Sequence, residues 1–241
     1  MNKTALITGA SRGIGFEAAK KLIEAGWRVT GIARKSVFPD SLKNNLLFSG
    51  ITVSLENPKE LEKLRSTVED CDVLINNAGI FEPVYVEKSD EEWDKNWETT
   101  LQVNLVAPAK LSKWAIHSWL KSNKQGIVIN VSSRASYRGE TAEYSSYASS
   151  KAGLTALTKT IARGFGKKNI LAYTIAPGFV NTDMAAGSVD VYGKEYITAG
   201  LALNDIVQPY ETGELIATLA SGVFPHMTGQ TFHINSGSYM I

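Results

Sequence analysis

Ala5-Leu-Ile-Thr-Gly-Ala-Ser-Arg-Gly-Ile-Gly15 is the stretch that decides the fold class of this chain. A short apolar run here enters a loop with three glycines, and a helical pattern follows over residues 14–25. That pattern carries an apolar stripe and stops at Gly26, in the position of a C-cap glycine. A buried strand that enters a helix through a glycine-rich loop is typical of the first unit of a parallel α/β sheet.

The same alternation of short apolar runs and helical patterns continues along the chain. The runs are continuously apolar, which suits strands that are covered on both faces. We therefore predict an α/β fold with one domain over residues 1–241: a Rossmann-like, doubly wound, parallel seven-stranded sheet with helices on both faces. The predicted strands are 5–8, 28–33, 51–54, 73–76, 127–131, 171–176 and 231–234. The predicted helices are 14–25, 59–68, 90–120, 145–166 and 209–220.

Two segments interrupt the alternation. Residues 34–50 are few for a full crossover helix and include Pro39, so we expect a reduced helix there. Residues 182–203 are polar, dotted with glycine and weakly periodic. A long irregular segment after a sheet strand is often a binding loop, so we predict a substrate loop or lid around 183–203.

The bulk composition excludes several classes of protein. The chain has 241 residues, 44% of them apolar, and a formal net charge of +1 with scattered basic residues. It therefore predicts no nucleic-acid or anionic-membrane surface. Cys71 is the single cysteine, and no apolar run is long enough to span a bilayer. We also expect no signal peptide. We expect a cytoplasmic protein.

The glycine loop also suggests a cofactor site. Gly9 permits a tight turn, while Gly13 and Gly15 let backbone approach a pyrophosphate and the sheet. The N-terminus of the following helix offers free N–H groups and positive potential to an anion. The spacing differs from the dinucleotide pattern Gly-x-Gly-x-x-Gly. The alternative is a glycine turn with no ligand.

A second motif, Tyr147-Ala-Ser-Ser-Lys151, lies on a predicted helix. Residues four apart share one helix face, so the phenol and the ammonium point into the same space. Bringing the pKa of a tyrosine from about 10 to near neutrality requires about 4 kcal/mol of preference for the phenolate. A lysine cation about 5 Å away supplies about 3 kcal/mol at an effective dielectric near 20. An oxidised nicotinamide could supply the rest; the alternative is a solvated pair on a helix surface.

Six motifs in one order resemble those of the short-chain dehydrogenase/reductase family. The closest resemblance is to 3-oxoacyl carrier-protein reductases and related ketoreductases, and it covers nearly the whole chain. The motifs are the Thr8–Gly15 loop, Asn76-Asn-Ala-Gly79, Ser133, Tyr147-x-x-x-Lys151, Ala176-Pro-Gly-Phe-Val-Asn-Thr-Asp183 and Thr228-Gly-Gln-Thr-Phe-His-Ile-Asn235.

The resemblance implies four catalytic residues. Tyr147 is expected to be the general acid in carbonyl reduction, and Lys151 to lower its pKa and bind the nicotinamide ribose. Ser133 is expected to hold the substrate oxygen. Asn104 is expected to support a water that relays protons to Lys151. The alternative for Asn104 is a polar residue that satisfies helix backbone at a bend.

The resemblance also implies a cofactor site along the carboxyl edge of the sheet. Some of these residues could have a purely structural role. Asn77 could cap a turn, and Pro177 with Gly178 could simply form a loop. No metal-ligand spacing joins the three histidines to Cys71 or to carboxylates, so we predict no catalytic metal. The predicted cofactor residues are Gly9, Ser11, Arg12, Gly13, Ile14, Gly15, Arg34, Ser54, Leu55, Asn77, Ala78, Gly79, Tyr147, Lys151, Pro177, Gly178, Val180 and Thr182.

Three departures from the family pattern affect these expectations. Ser133 stands fourteen residues before Tyr147, where the family usually has thirteen; Ser132 and Ser136 are the other candidates. Ser54 replaces an acidic residue that often contacts adenine. The C-terminal glycine pair of many relatives is here Ser236-Gly237.

The sequence therefore predicts an NADP(H)-dependent oxidoreductase that reduces a ketone or 3-oxo group. The substrate is a small-molecule or carrier-bound carbonyl compound, and the assembly a homotetramer or homodimer. NADP(H) is expected over NAD(H) because Arg34 and Arg12 stand where a carboxylate would bind the ribose 2′-hydroxyl. The alternatives are an alcohol, polyol or steroid dehydrogenase, or a non-catalytic dinucleotide-binding protein.

The pocket for the substrate is expected to include residues 134–144, Phe179 and 183–203. Arg134, Arg138 and Lys194 could bind an acidic or carrier-bound substrate, or could be solvated surface charges. Trp114, Trp119, Leu157 and Ile161 are expected to leave apolar surface for a subunit interface.

Overall fold

Seven parallel strands form one sheet in the part of the chain that the computed structural model describes, residues 3–35, 37–182, 193, 195 and 198–240. The strand order is β3-β2-β1-β4-β5-β6-β7. The predicted fold class, a doubly wound parallel sheet, is confirmed. The strands are β1 (Thr4–Thr8), β2 (Arg28–Ala33), β3 (Phe48–Thr52), β4 (Val73–Asn76), β5 (Gly126–Val131), β6 (Ile170–Pro177) and β7 (Thr231–Ile234).

The strand order reverses at β1, because β2 and β3 lie on one side of it and β4 to β7 on the other. On one side Ile7 pairs with Gly31 of β2, and on the other it pairs with Ile75 of β4. The loops that leave β1 and β4 therefore diverge and leave a crevice beyond the carboxyl ends of the two strands. Ligands of open α/β sheets bind at such a switch point.

Helices cover the sheet between successive strands. In the described residues they are α1 (Gly13–Glu24), α2 (Asp40–Lys43), α3 (Pro58–Leu61), α4 (Arg65–Glu69), α5 (Asp90–Leu101), α6 (Ala107–Ser122), α7 (Ala135–Arg138), α8 (Ser145–Phe165) and α9 (Pro209–Ala220). The reduced helix expected in residues 34–50 is the four-residue α2. The predicted helix 59–68 is split into α3, a 3-10 turn and α4. The predicted helix 90–120 is interrupted by a π-helical turn, Gln102–Val106.

The two faces of the sheet bury two separate hydrophobic clusters. Along β1, Ala5 and Ile7 point to one face and pack with α1 and α9, while Leu6 points to the other. That second face packs against α4, α6 and α8. The close approach of α1 and α9 requires Gly213, where a Cβ would lie 2.8 Å from the Glu17 carbonyl carbon.

Two predictions made from the sequence are wrong. The third strand begins at Phe48, three residues earlier than predicted, and ends at Thr52. It is an edge strand with one exposed side, so it lacks the continuous apolar run on which the prediction relied. Trp114 and Trp119 are buried in the core, since Trp119 donates a hydrogen bond to the Cys71 carbonyl (2.6 Å) and packs over Gly126.

Ile161 is also buried, so three of these four side chains offer no apolar surface to a partner, while Leu157 packs against the same cluster and is partly buried. Most of the predicted substrate loop, including Lys194, lies outside the described residues. Within the described residues, no helix combines the length and the hydropathy needed to cross a membrane.

Candidate active site

A cavity of about 600 Å³ opens at the carboxyl ends of β1, β4, β5 and β6. One end lies beside Arg34 and Val37, after β2. The other end lies beside Tyr147 and Phe179, beyond β5 and β6. The glycine loop after β1 lines the middle, so the cavity follows the switch point that the strand order creates.

The glycine loop has the conformation that its residues predict. Gly9 and Gly13 have positive φ angles of 72° and 56°, which other residues rarely adopt. Gly15 does not line the cavity; a Cβ there would lie 2.2 Å from the Gly9 carbonyl oxygen. Its role is to let α1 pack directly beneath the loop. Arg12 occupies the N-cap of α1 and does not cap the helix through its side chain. Gly13 and Ile14 of the first turn line the cavity, at the end of the helix where backbone N–H groups lack partners within the helix.

The end of the cavity beyond β2 carries an ion pair. Arg34 donates to a carboxylate oxygen of Glu56 at 2.9 Å, and both side chains are partly exposed. Leu55 lines the cavity, but Ser54 does not. The Ser54 N–H donates to Glu60 (2.9 Å), because the chain turns there into α3. The prediction that Ser54 contacts a cofactor is not supported by its position.

Asn77 ties the end of β4 to the glycine loop. Its side-chain amide donates to the carbonyl oxygens of Thr8 (2.9 Å) and Gly9 (3.1 Å). The Thr8 hydroxyl accepts hydrogen bonds from the backbone N–H groups of Asn77 and Ala78, both at 3.0 Å. Asn77 therefore fixes the shape of the cavity wall, in addition to lining it.

Tyr147 lies in the cavity wall in the first turns of α8. Its ring meets the edge of Phe81 at a centroid distance of 4.7 Å, and Phe81 stacks on Tyr144 at 3.8 Å. Burial raises the pKa of Tyr147 to about 12, against a hydrogen bond from Ser133 and the positive charge of Arg134, which lower it. The protein by itself therefore does not depress the pKa of Tyr147, contrary to the expectation from the Tyr-x-x-x-Lys motif.

Lys151 is buried one turn further along α8. Its Nζ donates to the Val131 carbonyl oxygen at 3.0 Å and lies 5.7 Å from the centre of the Tyr147 ring. Burial lowers the pKa of Lys151 to about 8. Among the described residues, no carboxylate forms an ion pair with it. The ammonium is thus held in the cavity wall without a counter-charge.

Asn104 lies behind the cavity wall, in the π-helical turn between α5 and α6. Its side chain exchanges two hydrogen bonds with the backbone of Ile80, at 2.9 and 3.0 Å, and donates to the Ser150 hydroxyl at 3.1 Å. A Cβ on Gly79 would lie 3.2 Å from Lys151 Nζ and 3.4 Å from Asn104 Oδ1. Gly79 therefore keeps open the space between the two polar groups.

The three candidate serines differ in where their hydroxyls point. Ser132 is buried, and its Oγ bonds to the Lys151 carbonyl oxygen and to Thr155, both at 2.9 Å. Ser136 donates back to the Ser133 carbonyl oxygen at 2.6 Å and does not line the cavity. The Ser133 hydroxyl accepts from the Ala135 N–H (3.1 Å) and hydrogen-bonds to Tyr147. The geometry therefore favours Ser133.

The segment after β6 closes the other side of the cavity. Gly178 donates to Ile234 of β7 at 2.9 Å, and a Cβ on Gly178 would lie 2.9 Å from the Asn235 Cα. Val180 and Thr182 follow, and Thr182 lies against Gly13 of the glycine loop. Pro177 and Gly178 thus bring a backbone segment across the mouth of the crevice.

The whole chain is similar to proteins of known family. The family model for short chain dehydrogenase matches residues 3–192. This chain belongs to the short chain dehydrogenase family. The family consists of oxidoreductases. The 3-oxoacyl-(acyl-carrier-protein) reductase of Vibrio cholerae serotype O1 is 35% identical over 250 residues, covering 99% of this chain and 98% of that protein. The corresponding reductase of Escherichia coli (strain K12) is 32% identical over 246 residues, with the same coverage.

Solved structures of family members share the fold. A 4-hydroxyisoleucine dehydrogenase complexed with NADH has a TM-score of 0.88 and 28% identity, covering 98% of each chain. A protein of Agrobacterium tumefaciens, assigned as a 2-deoxy-D-gluconate 3-dehydrogenase and holding NADP, has a TM-score of 0.87 and 26% identity. It covers 98% of this chain and 96% of that one.

The cavity brings together all the predicted cofactor residues except Gly15 and Ser54. Three of the four predicted catalytic residues line it, and Asn104 lies behind it. Phe81 and Glu56, which were not predicted from the sequence, also line it, as does Glu140 of the predicted pocket segment 134–144. Phe81 follows the Asn76–Gly79 motif by two residues, a position that could have flagged it. No local motif indicates that Glu56 lines the cavity, because only the pairing of β2 with β3 brings it to Arg34.

The buried charge of Lys151 predicts a cost in stability. The pKa of Lys151 is about 8 in the folded protein and about 10.4 in a solvated lysine. Below pH 8 the side chain is therefore charged in both states, but its charge is buried in the folded state and solvated in the unfolded state. We expect Lys151→Met to raise the free energy of unfolding at pH 7 by about 1–3 kcal/mol, after loss of the hydrogen bond to Val131. The advantage should shrink as the pH rises from 8 to 10, because wild-type Lys151 then loses its proton on folding.

Chemical denaturation of both proteins across that pH range measures the difference. Lys159→Met, an exposed position on the same helix, is the control and should change stability by less than about 0.5 kcal/mol. A Lys151→Met protein less stable than wild type at pH 7 would contradict a net penalty from the buried ammonium.

Proposed function

We propose that this protein is an NADP(H)-dependent reductase that converts a ketone or 3-oxo group into an alcohol. The observation that carries the proposal is the convergence of Ser133, Tyr147 and Lys151 on one end of a cavity whose middle is a glycine loop at a helix N-terminus. The whole-length similarity to 3-oxoacyl-(acyl-carrier-protein) reductases supports it. The proposed location is the cytoplasm.

The residues of the cavity fit a nicotinamide dinucleotide. The positive φ of Gly9 and Gly13 leaves the loop backbone bare, and the first turn of α1 offers N–H groups to a pyrophosphate. Arg34 stands at the end suited to the adenosine ribose, and Tyr147 and Lys151 at the end suited to the nicotinamide. The cavity volume of about 600 Å³ is in the range of small-molecule and cofactor sites.

The side chains at the catalytic end have separate proposed roles. When bound, the reduced nicotinamide supplies a hydride to the carbonyl carbon of the substrate. Ser133 and Tyr147 hold the carbonyl oxygen with two hydroxyl groups. Tyr147 transfers its proton to that oxygen, which completes the alcohol and leaves a phenolate. Lys151 hydrogen-bonds the nicotinamide ribose, and Asn104 supports the water that returns a proton towards Lys151.

The pKa of Tyr147 sets the electrostatic requirement of this chemistry. Lowering it from about 12 to about 8 requires roughly 5 kcal/mol of preference for the phenolate. Lys151 in the free protein loses its proton near pH 8, so it is neutral when Tyr147 titrates. A unit charge about 5 Å from the phenolate is worth about 3 kcal/mol at an effective dielectric near 20. The phenolate would therefore need Lys151 in its protonated form and the positive charge that an oxidised nicotinamide would supply.

A second candidate function runs the same chemistry in the oxidative direction. The solved 4-hydroxyisoleucine dehydrogenase and the Agrobacterium protein are both described as dehydrogenases. An alcohol or polyol dehydrogenase would use Tyr147 as the base in place of the acid. Initial rates in both directions, on a panel of ketones with NADPH and the matching alcohols with NADP⁺, distinguish the two candidates. A non-catalytic dinucleotide-binding protein would turn over neither panel.

We propose a homotetramer or homodimer as the assembly. The buried tryptophans of α6 do not support it. Exposed apolar side chains do: Val223, Phe224 and Met227 lie within five residues of one another, and each is more than two-fifths exposed. Surface clusters of this kind are typical of subunit contacts.

Tyr147→Phe should abolish most of the turnover while leaving the fold and the cofactor affinity intact. The ring still packs against Phe81, but the proton donor is gone. We expect kcat to fall by about 10² or more, the scale of general acid catalysis. Steady-state rates, the melting temperature and fluorescence titration with NADPH measure the three quantities.

Tyr210→Phe is the matched control, because Tyr210 is exposed and outside the cavity. It should retain wild-type turnover. More than a tenth of wild-type turnover in Tyr147→Phe would rule out Tyr147 as the acid.

NADPH should be preferred over NADH by at least about tenfold in kcat/KM, since one charge-assisted hydrogen bond is worth about 1.5–3 kcal/mol. Arg34 can turn from Glu56 to the 2′-phosphate. Arg34→Asp is then expected to erase or reverse the preference. Glu56→Gln should increase it, because Arg34 loses its competing carboxylate.

Initial rates with both cofactors give the ratio for each variant. Arg65→Asp is the control, since Arg65 also pairs with a glutamate on the surface (Glu69, 3.1 Å) but lies outside the cavity. Equal use of the two cofactors by wild type, or an Arg34→Asp protein that still favours NADPH, would refute this assignment. A wild-type preference for NADH that Glu56→Gln removes would assign Glu56 to the ribose hydroxyl.

A further inference from the structure

Arg134 is a buried cation at the catalytic end of the cavity. It follows Ser133 directly in the chain, and only 9% of its surface is exposed. Its backbone N–H donates to the Pro177 carbonyl oxygen at 2.9 Å, which fixes the residue between β5 and β6. The guanidinium lies over the Phe179 ring, 4.5 Å from the centroid. Arg134 is therefore not a solvated surface charge.

The guanidinium of Arg134 forms no ion pair with any carboxylate in the part of the chain that the structure describes. Within the described ranges, no hydrogen bond or ion pair engages the guanidinium nitrogens. The guanidinium contacts the Phe179 ring, and the carboxylate of Glu140 favours its charge only from a distance. The acidic side chain that influences Arg134, Glu140, is already paired, because Arg138 donates to both of its carboxylate oxygens at 2.9 Å. Burial of the guanidinium lowers the pKa of Arg134, and the positive charge of Arg138 adds to this.

A buried and unpaired guanidinium is costly unless a ligand supplies the missing charge. Arginine offers a planar fork of donors that matches a carboxylate. Arg134 lines the same cavity as Ser133, Tyr147 and Phe179. Its charge also reaches the Tyr147 hydroxyl, since it lowers the pKa of that group. An anion bound to Arg134 would therefore lie close to the reacting carbonyl.

We propose that Arg134 binds the carboxylate of a short oxo acid, so that the substrate is a free acid whose carboxylate is one or two carbons from the carbonyl. The proposal rests on the proposed reductase function and names its substrate class. Phe179 holds the guanidinium from one face, and the Arg138–Glu140 pair prevents Glu140 from occupying it. Arg134 is then a specificity-determining residue that distinguishes free oxo acids from uncharged esters and thioesters.

The experiment compares 3-oxobutanoate with its ethyl ester, which carries the same ketone without the charge. Wild type and Arg134→Met are assayed with both compounds and NADPH. We expect Arg134→Met to lower kcat/KM for the acid by about 10- to 150-fold, the range of a hydrogen bond to a charged group. The rate with the ester should change less than about threefold. Most of the loss should be in KM, because the interaction positions the substrate and takes no part in proton transfer.

Two further variants control for folding and for charge. Arg134→Lys keeps the positive charge without the planar fork and should retain part of the preference for the acid. Arg163→Met changes an exposed arginine on α8 outside the cavity and should leave both rates unchanged. The melting temperature of each variant shows whether it is folded.

Binding is also measured independently of turnover. Calorimetric titration of butanoate into the NADP⁺-loaded protein should show binding to wild type and at least tenfold weaker binding to Arg134→Met. An unchanged acid-to-ester ratio together with unchanged butanoate affinity would overturn the assignment of Arg134. Equal losses for the acid and the ester would also overturn it, because they would indicate a role in cofactor binding or packing.

The two proposals fail in different ways. If neither compound and no ketone of the panel is reduced, the reductase function fails, and the butanoate titration alone decides whether Arg134 binds carboxylates. If the ester is reduced well and the acid is not, the reductase function stands and the oxo acid proposal falls.

Discussion

A positive charge buried without a carboxylate partner is the constraint on which the catalytic end of this protein depends. Lys151 Nζ is held by the Val131 carbonyl oxygen at 3.0 Å, and that bond exists because α8 packs across the end of β5. One turn earlier on the same face, α8 presents Tyr147. The absence of a side chain at Gly79 leaves room beside Lys151 Nζ. The protein thus keeps the pair that the proposed reaction uses at a cost in stability, which is common at functional sites.

The positive charges at the two ends of the cavity differ in their burial and in their pairing with carboxylates. At the end beyond β2, Arg34 is partly exposed and paired with Glu56, so a phosphate can take over from a carboxylate at little cost in desolvation. At the other end, among the described residues, Lys151 and Arg134 are buried and lack carboxylate partners. Buried cations require an anion to offset their desolvation. In the proposed reaction those anions are the phenolate of Tyr147 and the carboxylate of the substrate.

The sequence was sufficient to predict the sheet and its edge. Strand–loop–helix alternation fixed the fold class, and parallel strands bring the ends of β1, β4, β5 and β6 to one side of the sheet. Helical spacing placed Tyr147 and Lys151 together. What the sequence could not predict was which polar groups would be buried. In the sequence Arg134 resembles any loop arginine, but in the fold it lies buried between β5 and β6. Trp119 resembles an interface residue, but its ring packs over Gly126 and donates a hydrogen bond to the Cys71 carbonyl oxygen.

The pKa shifts and ion pairs of the site were the properties least predictable from the sequence. Spacing alone suggested that Lys151 lowers the pKa of Tyr147, but burial acts on both groups and in opposite directions: the phenol keeps its proton and the ammonium loses it more easily. The direction of each shift depends on depth in the fold, which periodicity does not report. The pairing of Arg34 with Glu56 likewise depends on the alignment of β2 with β3.

In the proposed reaction, Tyr147 forms a phenolate only when protonated Lys151 and the positive charge that an oxidised nicotinamide would supply act on it together. The most direct test is a spectrophotometric titration of tyrosinate in wild type minus Tyr147→Phe, which isolates Tyr147 from the other tyrosines. We expect a pKa of about 12 for Tyr147 in the free protein. With NADP⁺ this pKa should fall by about three units or more, and with NADPH, whose ring is uncharged, it should change much less. A Tyr147 pKa that stays within one unit of its free value when NADP⁺ is bound would rule out this role for the two positive charges.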